Sequence, residues 1–273
     1  MTSDELTAEF ETGAPVVVLS PHLDDAVLSC GALLTHAHDH APVTVATLFT
    51  RSGPPPYTLS ARRYLRMTGA GDAEQLYAAR RAEDREVLER MGVEWRHFSL
   101  PDGLFRNKPG CRAATHPWAR RIPELARVYP TYRLHLVSGK MSPHDASTLQ
   151  QVVGVLALLA SGTPGPVLAP LAVGGHVDHL LVRIAAECSG RRVVYYSEFP
   201  YNRRHAPDSA FVRRNSLTEA VWSLGIAEKA DLIRAYRTQC AALFPGGRVP
   251  PAPEVYLLPR GPRADRAAPA GGP

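Results

Sequence analysis

Short apolar runs alternate with longer amphipathic segments along this chain, which is the pattern of strands followed by helices in an α/β fold. The run at 16–19 is short and β-branched, as in a buried parallel strand, and a helical pattern opens at Ala26. Comparable runs predict further strands at 43–49, 94–99, 167–171, 191–199 and 254–258. Helical patterns cover 26–34, 77–92, 118–129, 147–160, a segment from His179 onward, and 217–243 with a break near Gly225.

The chain has 273 residues, 45% of them hydrophobic, which is enough to bury the core of one α/β domain, predicted at 15–258. Residues 1–14 are expected to form a flexible N-terminal segment. Residues 259–273 consist of Pro, Gly, Ala, Arg and little else without periodicity, so they are expected to be a disordered tail. The stretch 51–71 is too long for a simple connection, which indicates either a loop over a pocket or a plain surface insertion.

Composition argues against several classes of protein. The chain has no apolar run of about 18 residues, so no membrane span is predicted. Residues 1–14 carry acidic but no basic side chains, which is unlike a secretory signal, and a cytoplasmic location is expected. The net charge is +5, but the arginines lie in scattered pairs, so no nucleic-acid partner is predicted. The four cysteines form no CxxC motif and are expected to be free thiols.

Polar side chains gather where the first predicted strand meets the first helix. His22, Asp24 and Asp25 follow the turn at Ser20 and Pro21, at the sheet edge where open α/β folds place their ligand crevices. Adjacent aspartates repel each other unless a cation or a helix dipole faces them. One interpretation is therefore a cation site. The other is that both aspartates cap the helix and His22 is an ordinary loop histidine.

A second strand-to-helix turn carries the same kinds of side chain. His176, Asp178 and His179 follow the predicted strand at 167–171 and open a helix. Two such turns in one domain suit a metal site assembled across neighbouring strands. Asp178 has the alternative role of capping the helix that begins at His179.

These two motifs resemble those of the LmbE-like, or PIG-L, zinc-dependent N-deacetylases. The family pattern AHPDDE corresponds to PHLDDA at 21–26, and the family pattern HxDH corresponds to residues 176–179. Leu23 replaces the usual proline and Ala26 the usual glutamate, and neither is expected to touch the metal. The resemblance extends over about 16–199 and implies a Rossmann-like three-layer sandwich with a mostly parallel sheet. The PHLDD variant resembles the branch that acts on sugars of glycosylated natural products.

The resemblance also implies a role for each polar residue of the two motifs. It implies that His22, Asp25 and His179 are the metal ligands. It implies that Asp24 is the general base, and that His176 stabilises the oxyanion and helps to protonate the amine. His176 would be a cation in that role, with Asp178 as its natural partner.

Two further residues align with family positions that bind sugar hydroxyls. Arg80 lies at the start of a helix and Asp102 in the sequence Leu-Pro-Asp-Gly. Arg80 has the alternative of a surface ion pair with Glu83 or Asp84. The alternative for Asp102 is that its side chain only stabilises the turn by hydrogen bonds to the nearby backbone.

The resemblance implies zinc as the cofactor, although a His, Asp, His ligand set also suits ferrous iron or another divalent metal. A rival metal site is the histidine cluster at 36–40, where His36 and His40 share a face if the helix continues. The competing interpretation is that these imidazoles complement the dipole and cap the carbonyls of a helix end.

The function implied is a metal-dependent hydrolase that removes an acetyl group from the amine of an N-acetyl amino sugar. The substrate would be a small-molecule conjugate: a glycosylated natural product, a thiol-cofactor precursor or a pathway intermediate. The alternative is an amidase that acts on a non-sugar N-acyl substrate. A silent binding module is disfavoured because every chemical position is present, and a nucleotide-binding Rossmann domain because the first turn lacks GxGxxG. The sequence gives no oligomeric state.

Overall fold

A central sheet organises the computed structural model, which describes residues 3–111, 117–161 and 165–259. Within these residues the sheet has seven strands: β1 Val16–Ser20, β2 Val43–Thr47, β3 Glu94–His97, β4 Val167–Pro170, β5 Val193–Tyr196, β6 Leu217–Trp222 and β7 Glu254–Pro259. Their order across the sheet is β3-β2-β1-β4-β5-β7-β6. The first five in this order are parallel, whereas β7 pairs antiparallel with both β5 and β6.

Helices cover both faces of the sheet. They are α1 Ser3–Phe10, α2 Asp25–His38, α3 Leu59–Met67, α4 Ala73–Arg90, α5 Pro117–Arg121, α6 Ala146–Ala160, α7 Val177–Cys188, α8 Ser209–Arg214, α9 Ile226–Arg234 and α10 Arg237–Leu243. One face of β1, through Val16 and Val18, packs in a core shared with α1, α2, α4 and α9. The other face, through Val17 and Leu19, packs in a core shared with α6 and α7. The expected mostly parallel three-layer α/β sandwich is therefore confirmed.

The order of the strands places the two polar turns next to each other. Val17 of β1 pairs with Val167 of β4, and Val18 pairs with Leu168. From β1 the chain moves to β2 on one side, whereas β4 lies on the other side, so the order reverses between β1 and β4. Ligand crevices of open α/β sheets lie at such a reversal, outside the carboxyl ends of the strands.

The N-terminal segment differs from its prediction. Residues 3–10 form α1, and both Leu6 and Phe10 are fully buried in the core beneath the sheet. The acidic residues around this pair, Asp4, Glu5 and Glu9, hid the amphipathic pattern, because one apolar pair four residues apart is a short signal. The expectation of a flexible segment over 1–14 is therefore wrong for residues 3–10.

Two predicted helices also differ. The segment 217–222 is the strand β6, with Leu217, Ala220 and Trp222 buried, whereas α9 and α10 lie further along. The helix predicted at 118–129 ends at Arg121, and Pro123 opens a short 3₁₀ turn instead. Proline cannot donate a backbone hydrogen bond inside a helix, which explains the break.

Three remaining expectations concern the chain as a whole. Among the described residues, no helix is long and apolar enough to cross a membrane. The four cysteines are free thiols, as expected. The tail predicted to be disordered lies outside the described residues, except for Pro259, which ends β7.

Candidate metal centre

The turn after β1 is held by hydrogen bonds of its own side chains. The Ser20 hydroxyl donates to the His22 carbonyl oxygen at 2.7 Å and accepts from the Ala26 N–H at 3.1 Å. The His22 backbone N–H donates to Asp25 Oδ2 at 2.8 Å. These bonds fix the His22 ring and the Asp25 carboxylate side by side in a buried position.

Three side-chain atoms from the two turns converge on one point. The distance from His22 Nδ1 to Asp25 Oδ2 is 3.1 Å, and that from Asp25 Oδ2 to His179 Nε2 is 3.2 Å. His179 Nε2 lies 3.3 Å from His22 Nδ1, which closes the triangle. The structure thus brings together the three residues that the resemblance implied as ligands.

Two buried carboxylates determine which ring nitrogens carry protons. His22 Nε2 lies 3.1 Å from Asp178 Oδ2, and His179 Nδ1 lies 3.0 Å from Glu198 Oε1. When each ring is neutral, as a metal ligand must be, the nitrogen that faces a carboxylate keeps the proton, and His22 Nδ1 and His179 Nε2 carry the lone pairs. Two lone pairs and a carboxylate oxygen then face one another in a buried place, an arrangement that a cation stabilises.

The donor set fits a divalent transition metal. Zinc binds imidazole nitrogen and carboxylate oxygen at about 2.0–2.2 Å, and tetrahedral ligands at that distance lie roughly 3.3–3.6 Å apart. The three distances here are 3.1–3.3 Å. Three protein ligands leave a position open, as in catalytic rather than structural sites. His22, Asp25 and His179 would hold the ion, and the set suits zinc and ferrous iron alike.

The electrostatics of the centre favour positive charge. Burial by itself lowers the pKa of His22, but hydrogen bonds to Asp178 and Asp25 outweigh it and hold the pKa well above its usual value. Burial likewise opposes the charged form of His179, but Asp25 and Glu198 raise its pKa to about 9. Burial raises the pKa of Asp25, and the two imidazoles bring it well below its usual range.

Asp24 adjoins the triangle without belonging to it. It occupies the N-cap position of α2, yet its side chain makes no capping hydrogen bond, so the capping interpretation is wrong for Asp24. Its Oδ1 lies 3.5 Å from Arg80 Nη2. Burial is the largest influence on this carboxylate and raises its pKa to about 6, against the opposing charge of Arg80. A buried carboxylate that does not cap the helix can act on a molecule in the crevice.

His176 lies over the same crevice but is held differently from its prediction. Its ring centroid is 4.9 Å from that of His22 and 5.4 Å from that of His179. Its Nδ1 accepts the Asp178 backbone N–H at 3.2 Å, which leaves Nε2 as the protonated nitrogen of a neutral ring. Burial and the nearby charge of His22 lower the pKa of His176 well below its usual value.

Asp178 supports His22 rather than His176. Its carboxylate accepts from His22 Nε2, from the Gly103 N–H at 2.8 Å and from the Arg106 guanidinium. The expectation that Asp178 holds a His176 imidazolium is therefore wrong, and so is the alternative that its side chain caps α7. Burial opposes the charge of Asp178, but Arg106 and His22 outweigh it and lower the pKa of this carboxyl.

Two supporting residues were missed by the reasoning from sequence. Arg106 is buried and bridges Asp178 to Asp145, with Arg106 Nη1 2.9 Å from Asp145 Oδ2. Glu198 is fully buried and accepts from the N–H groups of Ala172 and Val173 as well as from His179. The only signal for Glu198 was a charged residue at the end of an apolar strand.

Arg80 and Asp102 both lie beside the centre. Arg80 is 4% exposed, and its Nη1 donates to the Tyr64 hydroxyl at 3.0 Å, so the alternative of a surface ion pair is wrong. Asp102 Oδ2 accepts from the Tyr77 hydroxyl and lies 3.5 Å from His22 Nε2. Its Oδ1 accepts the Leu104 N–H at 2.8 Å, so Asp102 both stabilises its turn and lies next to the site.

Curated relatives are similar to much of this chain. A 2'-N-acetylparomamine deacetylase of Streptomyces fradiae is 32% identical over 200 residues, which are 70% of this chain and 60% of that protein. The chain therefore spans less than two thirds of that relative's length. A 2'-N-acetylparomamine deacetylase of Niallia circulans is 25% identical over 246 residues, which are 83% of this chain and 81% of that protein.

Solved structures share the fold. A teicoplanin deacetylase in its zinc-inhibited form matches with a TM-score of 0.68 at 23% identity, over 89% of this chain and 97% of that one. An A40926 pseudoaglycone deacetylase matches with a TM-score of 0.64 at 23% identity, over 90% and 97%. The sequence profile of the PIG-L family, described as GlcNAc-PI de-N-acetylase, matches residues 17–188, which include both polar turns. With that match over more than half of its length, the chain belongs to the PIG-L family.

Proposed function

We propose that this protein is a metal-dependent N-deacetylase that removes an acetyl group from the amine of an N-acetyl amino sugar in a glycoconjugate or secondary-metabolite intermediate. The observation that carries the proposal is the triangle of His22 Nδ1, Asp25 Oδ2 and His179 Nε2, with the uncommitted Asp24 carboxylate beside it. Metal-assisted amide hydrolysis uses these two parts: a place for a Lewis acid, and a base next to it.

A divalent ion held by His22, Asp25 and His179 would supply a water of lowered pKa and polarise the amide carbonyl. Asp24 accepts the proton of the attacking water, because its carboxylate is adjacent to the ligands and engaged neither in capping nor in binding the ion. Asp24 then returns that proton to the leaving amine. Arg80, 3.5 Å from Asp24 Oδ1, keeps the carboxylate oriented toward the crevice.

His176 completes the set from the other turn. Since Nδ1 accepts a backbone N–H, the proton on Nε2 is available to donate to the oxygen on which negative charge develops. A neutral donor serves this purpose without the imidazolium that the sequence suggested. Arg80 and Asp102 are the proposed contacts to sugar hydroxyls, because both are buried beside the centre and both present hydrogen-bonding groups.

The names of the relatives support an amino sugar of an antibiotic as the substrate class. Two relatives act on 2'-N-acetylparomamine, and the matching folds belong to deacetylases of teicoplanin and of an A40926 pseudoaglycone. Zinc is the proposed ion and ferrous iron the alternative for the same donors. The expected cytoplasmic location and the absence of a nucleic-acid or membrane partner stay predictions.

The test compares metal-loaded wild type with Asp24→Asn on a panel of substrates, with release of free amine as the readout. The panel holds 2'-N-acetylparomamine, an N-acetylglucosaminyl glycopeptide, free N-acetylglucosamine and a non-sugar N-acyl amine. Wild type should release amine from at least one sugar conjugate, and Asp24→Asn should be slower by roughly 10²–10⁴-fold with the metal still bound. Release of amine only from the non-sugar substrate would show that the protein is an amidase and not an amino-sugar deacetylase. Full activity in Asp24→Asn would remove Asp24 as the base.

A further inference from the structure

A second group of metal-binding side chains lies at the carboxyl end of α2. It comprises Glu11, His36 and His40, here called the carboxyl-end cluster. One potential donor atom from each lies within 4.8 Å of the others. Glu11 Oε1 is 3.4 Å from His36 Nε2 and 3.9 Å from His40 Nε2. The carboxylate comes from the residue that follows α1, so the sequence pattern of α2 alone could not reveal it.

The Nε2 atoms of the two imidazoles make no hydrogen bond with the described residues and are available to an ion. His40 Nδ1 lies 2.9 Å from the His36 carbonyl oxygen, an acceptor only, so Nδ1 carries the proton and Nε2 a lone pair. His36 Nε2 is inaccessible to solvent and makes no hydrogen bond with any described residue, although Glu11 is near. A buried ring nitrogen without a hydrogen bond requires an explanation, and a bound cation supplies one.

Packing fixes these side chains in place. The His36 ring lies 4.8 Å from the ring of Trp222 on β6 and 4.6 Å from the ring of His40. Trp222 is 1% exposed, so it forms a rigid wall behind His36. The cluster therefore links the carboxyl end of α2 to the residue that follows α1, and it packs against β6.

From this geometry we propose that Glu11, His36 and His40 form a second binding site for a divalent transition metal, separate from the centre at His22. His36 lies in the last turn of α2 and His40 in the turn that follows the helix, and their rings lie 4.6 Å apart. The two imidazoles and the Glu11 carboxylate make a three-ligand set of the kind that binds zinc. Imidazole nitrogens select zinc, nickel or cobalt over calcium and magnesium, which prefer oxygen alone. An ion here would tie α1 to the sheet through α2.

The site is independent of the first one. His36 follows Asp25 by eleven positions in the same helix, so the two sites lie about 16 Å apart at roughly 1.5 Å per residue. No residue is shared, so one site can be removed while the other stays intact. The competing explanation is that His36 and His40 only complement the dipole and pair with Glu11, in which case no second ion binds.

The experiment counts zinc ions bound to untagged protein in competition with a chromogenic chelator. Wild type should bind two equivalents and His40→Ala one, while Glu11→Gln should weaken the second equivalent by at least tenfold. The matched control is His38→Ala, because His38 is an exposed histidine of the same helical turn outside the cluster. It should still bind two equivalents.

A variant without the first site separates the two proposals. His179→Ala should retain one equivalent, and zinc should raise its melting temperature. The double variant His179→Ala with His40→Ala should bind none and show no such rise. A single equivalent in wild type, or two equivalents in His40→Ala, would overturn the second site and leave the proposed deacetylase untouched.

Discussion

The two ends of α2 carry similar side chains in different surroundings. At the amino end, His22, Asp25 and His179 have side chains that are 11%, 7% and 4% exposed, and buried carboxylates hold both imidazoles. At the carboxyl end, the side chains of His36, His40 and Glu11 are 25%, 37% and 44% exposed. Water can therefore solvate Glu11 and His40 when no ion is bound, although His36 Nε2 itself is inaccessible, whereas all three amino-end donors must face one another. We therefore expect burial and outer carboxylates, rather than ligand type, to make the amino end the stronger of the two proposed metal sites.

The largest expected effect comes from removing an amino-end ligand. His179→Ala should lose the tighter zinc equivalent and lower amine release on the order of 10³-fold or more, because both water activation and carbonyl polarisation depend on the ion. Bound zinc and initial rates are measured on the same preparation. His38→Ala is the control and should keep full activity. A His179→Ala enzyme with near-normal rates would contradict the ranking of the two ends.

The next largest effect is expected on stability, from removing the buried Arg106 cation that supports the amino-end site. Arg106→Met leaves Asp178 and Asp145 buried without their cation and should lower the free energy of unfolding by about 3–5 kcal/mol. Urea unfolding measures this loss. The control is Arg81→Met, since Arg81 forms a partly exposed ion pair with Glu74 whose loss should cost less than about 1 kcal/mol. Equal losses in both variants would deny Arg106 its supporting role.

Weakening one outer carboxylate should lower the zinc affinity of the amino-end site toward that of the carboxyl-end cluster. Glu198→Gln keeps one oxygen for the backbone donors but weakens the bond that sets the His179 tautomer, so zinc affinity should fall by about 10–100-fold. Chelator competition gives the affinity. Glu254→Gln is the control, because this buried carboxylate bonds Lys229 and the backbone of α2 away from the ligands. Its zinc affinity should match that of wild type.

The smallest expected effect concerns the proposed sugar contact. The Tyr64 hydroxyl accepts from Arg80 and donates to Gln239 Oε1 at 3.1 Å, so Tyr64→Phe releases one end of the guanidinium. A lost hydrogen bond of about 1 kcal/mol should raise KM by roughly fivefold with little change in kcat. Steady-state kinetics on a sugar conjugate measures the split. A selective fall in kcat would place Arg80 with Asp24 in the chemistry instead.

The chain sequence was informative wherever the chemistry was local. Strand runs followed by His and Asp placed His22, Asp25 and His179 at one sheet edge, because parallel strands meet there. The α/β class and the boundaries of β1 and β4 followed from periodicity in the same way, whereas α4 begins at Ala73, four residues before its predicted start. Local pattern also misled, since the sequence at 217–222 predicts a helix, whereas these residues form the strand β6.

What could not be predicted depended on contacts between distant segments. Arg106 bonds Asp178 across 72 positions of the chain, and Glu11 approaches His36 only because α1 packs under the sheet. The partner of Asp178 was misassigned for the same reason: His176 is near in sequence, but His22 lies opposite in space. Motif spacing identifies ligands, whereas the groups that orient them come from the packed fold.

Glu198 has a consequence for recombining this chain with its relatives. The region that matches the family profile ends at residue 188, before the carboxylate that orients His179. The pairing of the chain after β5 with β7 positions Glu198, since the Ser197 N–H donates to the Val255 carbonyl oxygen of β7 at 2.8 Å. A hybrid enzyme joined at residue 188 would combine one parent's ligands with the other parent's orienting carboxylate. A crossover point after Glu198 would take His179 and its orienting carboxylate from the same parent.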